Sequence, residues 1–197
     1  MIDENKLKKL KESAESRNIP ILQDDTMQII TEKLKETRPK TILEIGTAVG
    51  YSALCFSRYL DNDGQIITIE INEDRVLEAR ENIREISSEE NIAVVHMDAY
   101  EYMKSQNKTY DVIFIDAAKG QYMNYLKEAL RLTKKGSIII ADNILHKGMV
   151  MSSYNEHRHR TMVTRLREYI KEVTENENLD TIIMEVGDGL SISTVLN

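Results

Sequence analysis

A chain of 197 residues with 41% hydrophobic side chains is long enough for one well-filled core and short for two ordinary domains, so a single domain spanning 1–197 is expected. Its net charge of −7 argues against broad, charge-driven attachment to nucleic acid or to an anionic membrane, since both are themselves negative. No run approaches the roughly 20 apolar residues of a membrane span, the first ten residues lack a signal peptide's apolar stretch, and the one cysteine, Cys55, excludes an internal disulfide; a cytoplasmic protein with no membrane partner is expected.

Two helices, near 4–17 and 24–37, open the chain. Short apolar runs rich in β-branched residues then alternate with stretches of helical period, the pattern of βαβ units and a mostly parallel sheet. Strands are expected at 41–45, 65–70, 92–96, 111–116, 137–141, 181–186 and 190–195, and helices near 51–60, 73–85, 100–105, 121–132 and 153–175. Cys55 falls among apolar residues of one of these helices and reads as a small core residue. Only Gly187-Asp-Gly189 separates the last two strands, too short for a helical crossover, so they pair as an antiparallel hairpin. The acidic, Asn-rich stretch 174–179 reads as a surface loop.

After the first strand comes Gly46-Thr-Ala-Val-Gly50, then a helix starting near Tyr51-Ser52. Glycines there allow a tight turn and close backbone approach, and the N–H groups of a helix N-terminus accept a carboxylate, which a methionine-derived cofactor carries. A dinucleotide loop wants G-x-G-x-x-G; Ala48 stands at the central glycine and Gly50 arrives one residue early, which counts against NAD. Glu70 ends the second strand, where two carboxylate oxygens can accept from both hydroxyls of a ribose. Glu44 lies inside the first strand, where a buried carboxylate needs a partner such as a cofactor ammonium or backbone N–H groups. An ordinary strand-to-helix turn explains the glycines alone and leaves the two acids unexplained.

Two later strands end in acids, Asp116 and Asp142, the second followed by Asn143. Strand C-termini of an open parallel sheet line the ligand crevice, so these residues are expected to converge beside the cofactor. Three hard oxygen ligands suit Mg²⁺ better than zinc. Each site alone reads equally well as a helix cap or an Asp-Asn turn, and Lys119 alone as a solvated surface lysine.

The segment Glu44-Ile-Gly-Thr-Ala-Val-Gly-Tyr-Ser-Ala53 resembles the first motif of the catechol and caffeoyl-coenzyme A class of S-adenosylmethionine-dependent O-methyltransferases. Phe114-Ile-Asp-Ala-Ala-Lys119 and Ala141-Asp-Asn143 match the two metal-binding stretches of that class, and the likeness spans most of the chain. It implies an α/β fold, a seven-stranded, mostly parallel Rossmann-like methyltransferase sheet with helices on both faces and a C-terminal antiparallel hairpin. It implies that Glu44, Gly46 and Ser52 hold the methionine end of the cofactor, with Gly50 and Asp116 also in its site. Glu70 then takes the ribose, Ile71 with Asp98-Ala99 the adenine side, and Leu22 covers the cofactor, within N-terminal helices (1–38) on that side. Asp116, Asp142 and Asn143 hold Mg²⁺ or another divalent cation, and Lys119, beside Asp116, takes the catalytic lysine position. A lysine near a divalent cation and a sulfonium has its ammonium form disfavoured, which suits a base. The resemblance also implies a homodimer, for which the N-terminal helices and 149–151 are candidate apolar contacts.

Metal-assisted O-methylation asks for an acceptor with two neighbouring oxygens, which catechols and 5-hydroxyuridine both supply. Within the class the sequence is most similar to bacterial tRNA 5-hydroxyuridine O-methyltransferases, which make 5-methoxyuridine at the wobble position; 19–22, 114–122, 142–148 and 186–190 carry that likeness. Between His146 and Arg167 five Lys/Arg stand against one acid, a formal +4 on an acidic chain. Lys147, Arg158, Arg160 and Arg165 are therefore expected to meet a tRNA anticodon backbone, with Tyr122 or Tyr154 available to stack on a base. A solvated cationic helix face gives the same pattern. A small-molecule catechol or caffeoyl-CoA-like acceptor shares every other residue.

Overall fold

Asp3 accepts hydrogen bonds from the N–H groups of Asn5 and Lys6, both at 3.1 Å, and so starts α1 (Glu4–Ser16), which buries Leu7, Leu10 and Ala14 on one face. In the computed structural model, residues 2–88, 90–152 and 157–197 are described, without the side chain of Arg158. They divide into two compact units, Met1–Ala99 and Tyr100–Asn197. In the first, α2 (Asp24–Thr37) ends at a left-handed Arg38, and β1 (Thr41–Ile45), α3 (Tyr51–Ser57), β2 (Gln65–Glu70), α4 (Glu73–Ile86) and β3 (Ile92–His96) follow. β1 pairs in parallel with β2, and β2 with β3. The apolar, β-branched faces of β1 and β2 leave Ile42, Leu43, Ile45, Ile66 and Ile69 essentially without solvent contact.

From Tyr100 the second unit holds the rest of α5 (Ala99–Ser105), then β4 (Val112–Ile115), a 3₁₀ turn (Lys119–Gln121), α6 (Tyr122–Arg131), β5 (Ile138–Ala141), α7 (His157–Glu175), β6 (Leu179–Met184) and β7 (Leu190–Val195). β4 and β5 are parallel; β7 runs antiparallel to β5 and to β6. Among the described residues the strands form one seven-stranded sheet in the order β3-β2-β1-β4-β5-β7-β6, mostly parallel and closed by the C-terminal antiparallel hairpin. That is the expected architecture.

Several boundaries differ from the sequence reading. Asp116 lies just past β4 rather than in it, and the helix expected at 121–132 begins as a 3₁₀ turn at Lys119. The strand expected at 181–186 runs from Leu179 to Met184, because its register is set by β7: Leu179 opposes Val195 and Met184 opposes Leu190. The surface loop expected at 174–179 is correspondingly short. Thr174 and Glu175 continue α7, and Leu179, 8% exposed, opens β6. The start of the helix expected at 153 lies outside the described residues, as does Tyr154.

Candidate active site

In the first unit the loop after β1 alternates into the left-handed region, with φ of +103° at Gly46, +47° at Ala48 and +84° at Gly50. A Cβ on Gly50 would stand 3.2 Å from Ile83 Cδ1 and 3.6 Å from Ala79 Cβ, so that glycine also lets α3 start close against α4. The Ala48 N–H donates to Glu70 Oε2 at 3.0 Å, and the N–H groups of Ile71 and Asn72 donate to Glu70 Oε1 at the same distance. Glu70 is thus held at the loop by three backbone bonds, and its carboxylate keeps accepting capacity on Oε2. Beside it Ile71 is 65% exposed, an apolar surface next to a hydroxyl acceptor, and Asp98 is exposed while Ala99 is buried. This donor set fits a nucleoside: an acid for ribose hydroxyls, an apolar face for a base and an exposed acceptor for its amine.

Glu44 is fully buried, and its Oε2 accepts from the Thr68 hydroxyl at 2.5 Å, which in turn lies 2.6 Å from the Thr47 hydroxyl. A side-chain hydroxyl of β2 therefore meets the buried acid, a partner the sequence reading did not name. Ser52 is half-buried on the first turn of α3, and Leu22 is buried between α1 and α2 beside Ile19 and Ile21. Asn82 of α4 donates to the Val49 carbonyl at 3.0 Å and pins the loop from behind. A cavity of about 820 Å³ is lined by Arg58, Asp61, Asp63 and Gln65, at the opposite end of β2 from Glu70, and by none of Leu22, Glu44, Gly46, Gly50, Ser52 and Glu70.

In the second unit the adjacent parallel strands β4 and β5 bring Asp116, Lys119, Asp142 and Asn143 together. Lys119 Nζ donates to Asn143 Oδ1 at 3.3 Å. Burial raises the Asp116 carboxyl above its ordinary value, while the Lys119 ammonium pulls it back. Burial first, and then the charge of Asp116, push the Asp142 carboxyl up to about 7. Among the described residues no three of His, Cys, Asp and Glu gather as a metal cluster. The protein's donors here are two carboxylates and an amide oxygen. A buried Asp142 whose proton affinity is raised by the half-buried Asp116 beside it fits a hard divalent cation, whose charge would relieve that repulsion. Asn143 takes φ +59°, which an Asn tolerates, and its N–H donates to Asp142 Oδ1 at 2.7 Å.

A family model for O-methyltransferases matches residues 2–195. The chain belongs to the O-methyltransferase family. It is 29% identical over 185 residues to caffeoyl-CoA O-methyltransferase 5 of Nicotiana tabacum, covering 89% of this chain and 77% of that protein. It is 31% identical over 165 residues to a catechol O-methyltransferase of Niastella koreensis, covering 79% and 73%. A Staphylococcus aureus structure provisionally named a caffeoyl-CoA O-methyltransferase superposes with a TM-score of 0.88 at 32% identity, covering 96% of this chain and 91% of that one. This O-methyltransferase is accordingly of the S-adenosylmethionine-dependent, caffeoyl-CoA and catechol type.

Two arginines of the methyltransferase's basic segment hydrogen-bond backbone carbonyls of their own chain. Arg165 donates to the Gly120 carbonyl at 2.7 Å, next to Lys119, and Arg167 donates to the carbonyls of Val150 and Ser152. Lys147 and Arg160 are exposed; the Arg158 side chain lies outside the described residues. Tyr122 is not available for stacking on a base, because it is fully buried with its hydroxyl on the Asp142 carbonyl. In the 149–151 stretch Val150 is buried and Met151 is 71% exposed. The segment after Asn143 is fastened to the β6–β7 turn by Ile144 N–H to Gly189 O and Leu145 N–H to Asp188 O, with His146, Lys147 and Gly148 all left-handed. Burial, and then the Lys119 charge, lower the pKa of His146. Asn82 was not foreseen as a site element, and Arg165 and Tyr122 were foreseen only in other roles, since each acts on a backbone carbonyl and leaves no residue-type signature. Among the described residues no helix is long and apolar enough to cross a membrane.

Proposed function

We propose that this O-methyltransferase methylates one of two neighbouring oxygens on a small, catechol-type molecule, with a divalent cation, Mg²⁺ in the first instance, held by Asp116, Asp142 and Asn143. The observation that carries the reading is the gathering of Lys119 with the half-buried Asp116, the buried Asp142 and the Asn143 amide at adjacent strand ends. When bound, S-adenosylmethionine supplies the methyl group and the cation supplies Lewis acidity. Glu44, Gly46, Gly50 and Ser52 serve the methionine end, Glu70 the ribose, and Ile71, Asp98 and Ala99 the adenine, under a cover that includes Leu22 and the helices of 1–38. Lys119 receives the hydroxyl proton, and burial around Asp116 and Asp142 strengthens the charge interactions among them. Both units work as one methyltransferase domain, in the cytoplasm. A homodimer accords with this reading, and the exposed Met151 is a candidate contact.

Two named relatives act on caffeoyl-CoA and on a catechol, and two arginines of the basic segment spend their guanidinium groups on backbone carbonyls of the same chain. Both points favour the small acceptor. Methylation of tRNA 5-hydroxyuridine is the second reading, supported by the exposed Lys147 and Arg160. Turnover of 3,4-dihydroxybenzoate and of tRNA bearing 5-hydroxyuridine, followed by mass analysis at low and high salt, separates them. The small-acceptor reading expects a methylated catechol at a rate nearly independent of salt. Formation of 5-methoxyuridine with no catechol product would replace it with the tRNA reading.

A further inference from the structure

Tyr122 opens α6 with no solvent exposure, and its hydroxyl donates to the Asp142 carbonyl at 2.7 Å. That carbonyl and the Asn143 N–H are the two ends of one planar peptide. The N–H end donates to the carboxylate of Asp142 itself, also at 2.7 Å. Phenol, peptide and carboxylate therefore form a single hydrogen-bonded chain in which each bond polarises the next. The peptide so held joins two neighbouring oxygen donors. A turn of its plane would swing the Asp142 carboxylate on one side and, on the other, the Asn143 amide, which starts from a left-handed φ and reaches Lys119 Nζ at 3.3 Å.

The phenol is itself enclosed by packing. Its ring meets the edge of Tyr169 with centroids 5.5 Å apart, and the Tyr169 hydroxyl lies 2.9 Å from Ser191 Oγ on β7. Tyr169 is also fully buried. The two tyrosines are thus equals in burial and in hydrogen bonding, but only one of them touches the Asp142–Asn143 peptide.

We propose that Tyr122 is a positioning residue that fixes the Asp142–Asn143 peptide and thereby sets the two neighbouring protein oxygens that receive the divalent cation. The inference rests on the metal reading above. Its test needs no turnover: Mn²⁺ binding to the full chain is followed by paramagnetic resonance at pH 8 for the wild type, Tyr122→Phe and Tyr169→Phe. Tyr122→Phe is expected to weaken Mn²⁺ binding about tenfold, the usual scale for losing a partner behind a metal ligand. Tyr169→Phe, which removes a buried phenol from the same cluster, is expected to leave it within about twofold of the wild type. Replacing Tyr122 by 4-aminophenylalanine, which fills the same space and still donates to the carbonyl, restores wild-type affinity and supplies a readout should the Phe variant fold poorly. Equal Mn²⁺ affinity in wild type and Tyr122→Phe overturns the inference, and so does equal weakening by both Phe variants, which would mean general loosening. A wild type that binds no Mn²⁺ removes the metal reading beneath it.

Discussion

Above pH 7 the Asp142 carboxylate is ionised beside Asp116, although burial and that neighbour lift its pKa from 3.8 to about 7. At about 1.4 kcal/mol for each tenfold change in proton affinity, keeping it charged costs the folded state up to about 4 kcal/mol relative to the unfolded chain. Because the folded pKa lies above the unfolded one, the group's contribution to stability is intact below about pH 4. It is lost as pH rises to about 7 and constant thereafter. Asp142→Asn keeps an oxygen for the Asn143 N–H and removes the charge. Lys119 attraction and the burial of an amide offset part of the gain, so we expect about 1–3 kcal/mol of stabilisation at pH 8, a Tm rise of about 2–12 °C for a chain of this size. At pH 4.5 most of that rise should vanish. Added Mg²⁺ should raise the wild-type Tm at pH 8 but move the variant's far less. Thermal melts by circular dichroism, with chelator and with Mg²⁺, read all three. A variant stabilised equally at both pH values, or destabilised at pH 8, would refute the reasoning.

Glu70→Gln exchanges an acceptor of three backbone N–H groups for a side chain whose amide must face one of them, so S-adenosylmethionine affinity should fall at least about tenfold by calorimetric titration. Unchanged affinity would remove Glu70 from the cofactor site. Arg165→Gln breaks the bond to the Gly120 carbonyl beside Lys119, and kcat should drop several-fold with little change in acceptor KM and in salt dependence. A fall in tRNA binding instead would return Arg165 to an RNA contact. Burial pushes the Cys55 thiol up to about 12, so alkylation by iodoacetamide at pH 8 should be slow in the folded protein and rapid in denaturant; fast labelling of the folded chain would contradict the burial.

Much of this architecture is legible in local sequence. β1, β2, β3 and β7 begin and end where the sequence places them, because β-branched runs of strand length bounded by turn residues mark a strand. Asp116 and Asp142 stood out as acids closing such runs. β6 did not, since its bounds follow from pairing with β7, a contact that residue order along β6 alone does not encode. The same limit hid the supports of the site. Tyr122, Asn82 and Arg165 each reach a backbone carbonyl 20 to 45 residues away, and a carbonyl has no residue type. Composition offered Lys147, Arg158, Arg160 and Arg165 either to a polyanion or to solvent, and gave no sign that Arg165 reaches a carbonyl of its own chain. Tyr122 looked like a stacking platform only until its burial was known.

Transfer of a labelled methyl group from S-adenosylmethionine to 3,4-dihydroxybenzoate, with product mass read in Mg²⁺ and again after exhaustive chelation, tests the central claim most directly. The account predicts one labelled methyl on one of the two hydroxyls in Mg²⁺, and loss of that product to background in chelator, restored when Mg²⁺ is returned. Undiminished methylation in chelator would contradict it.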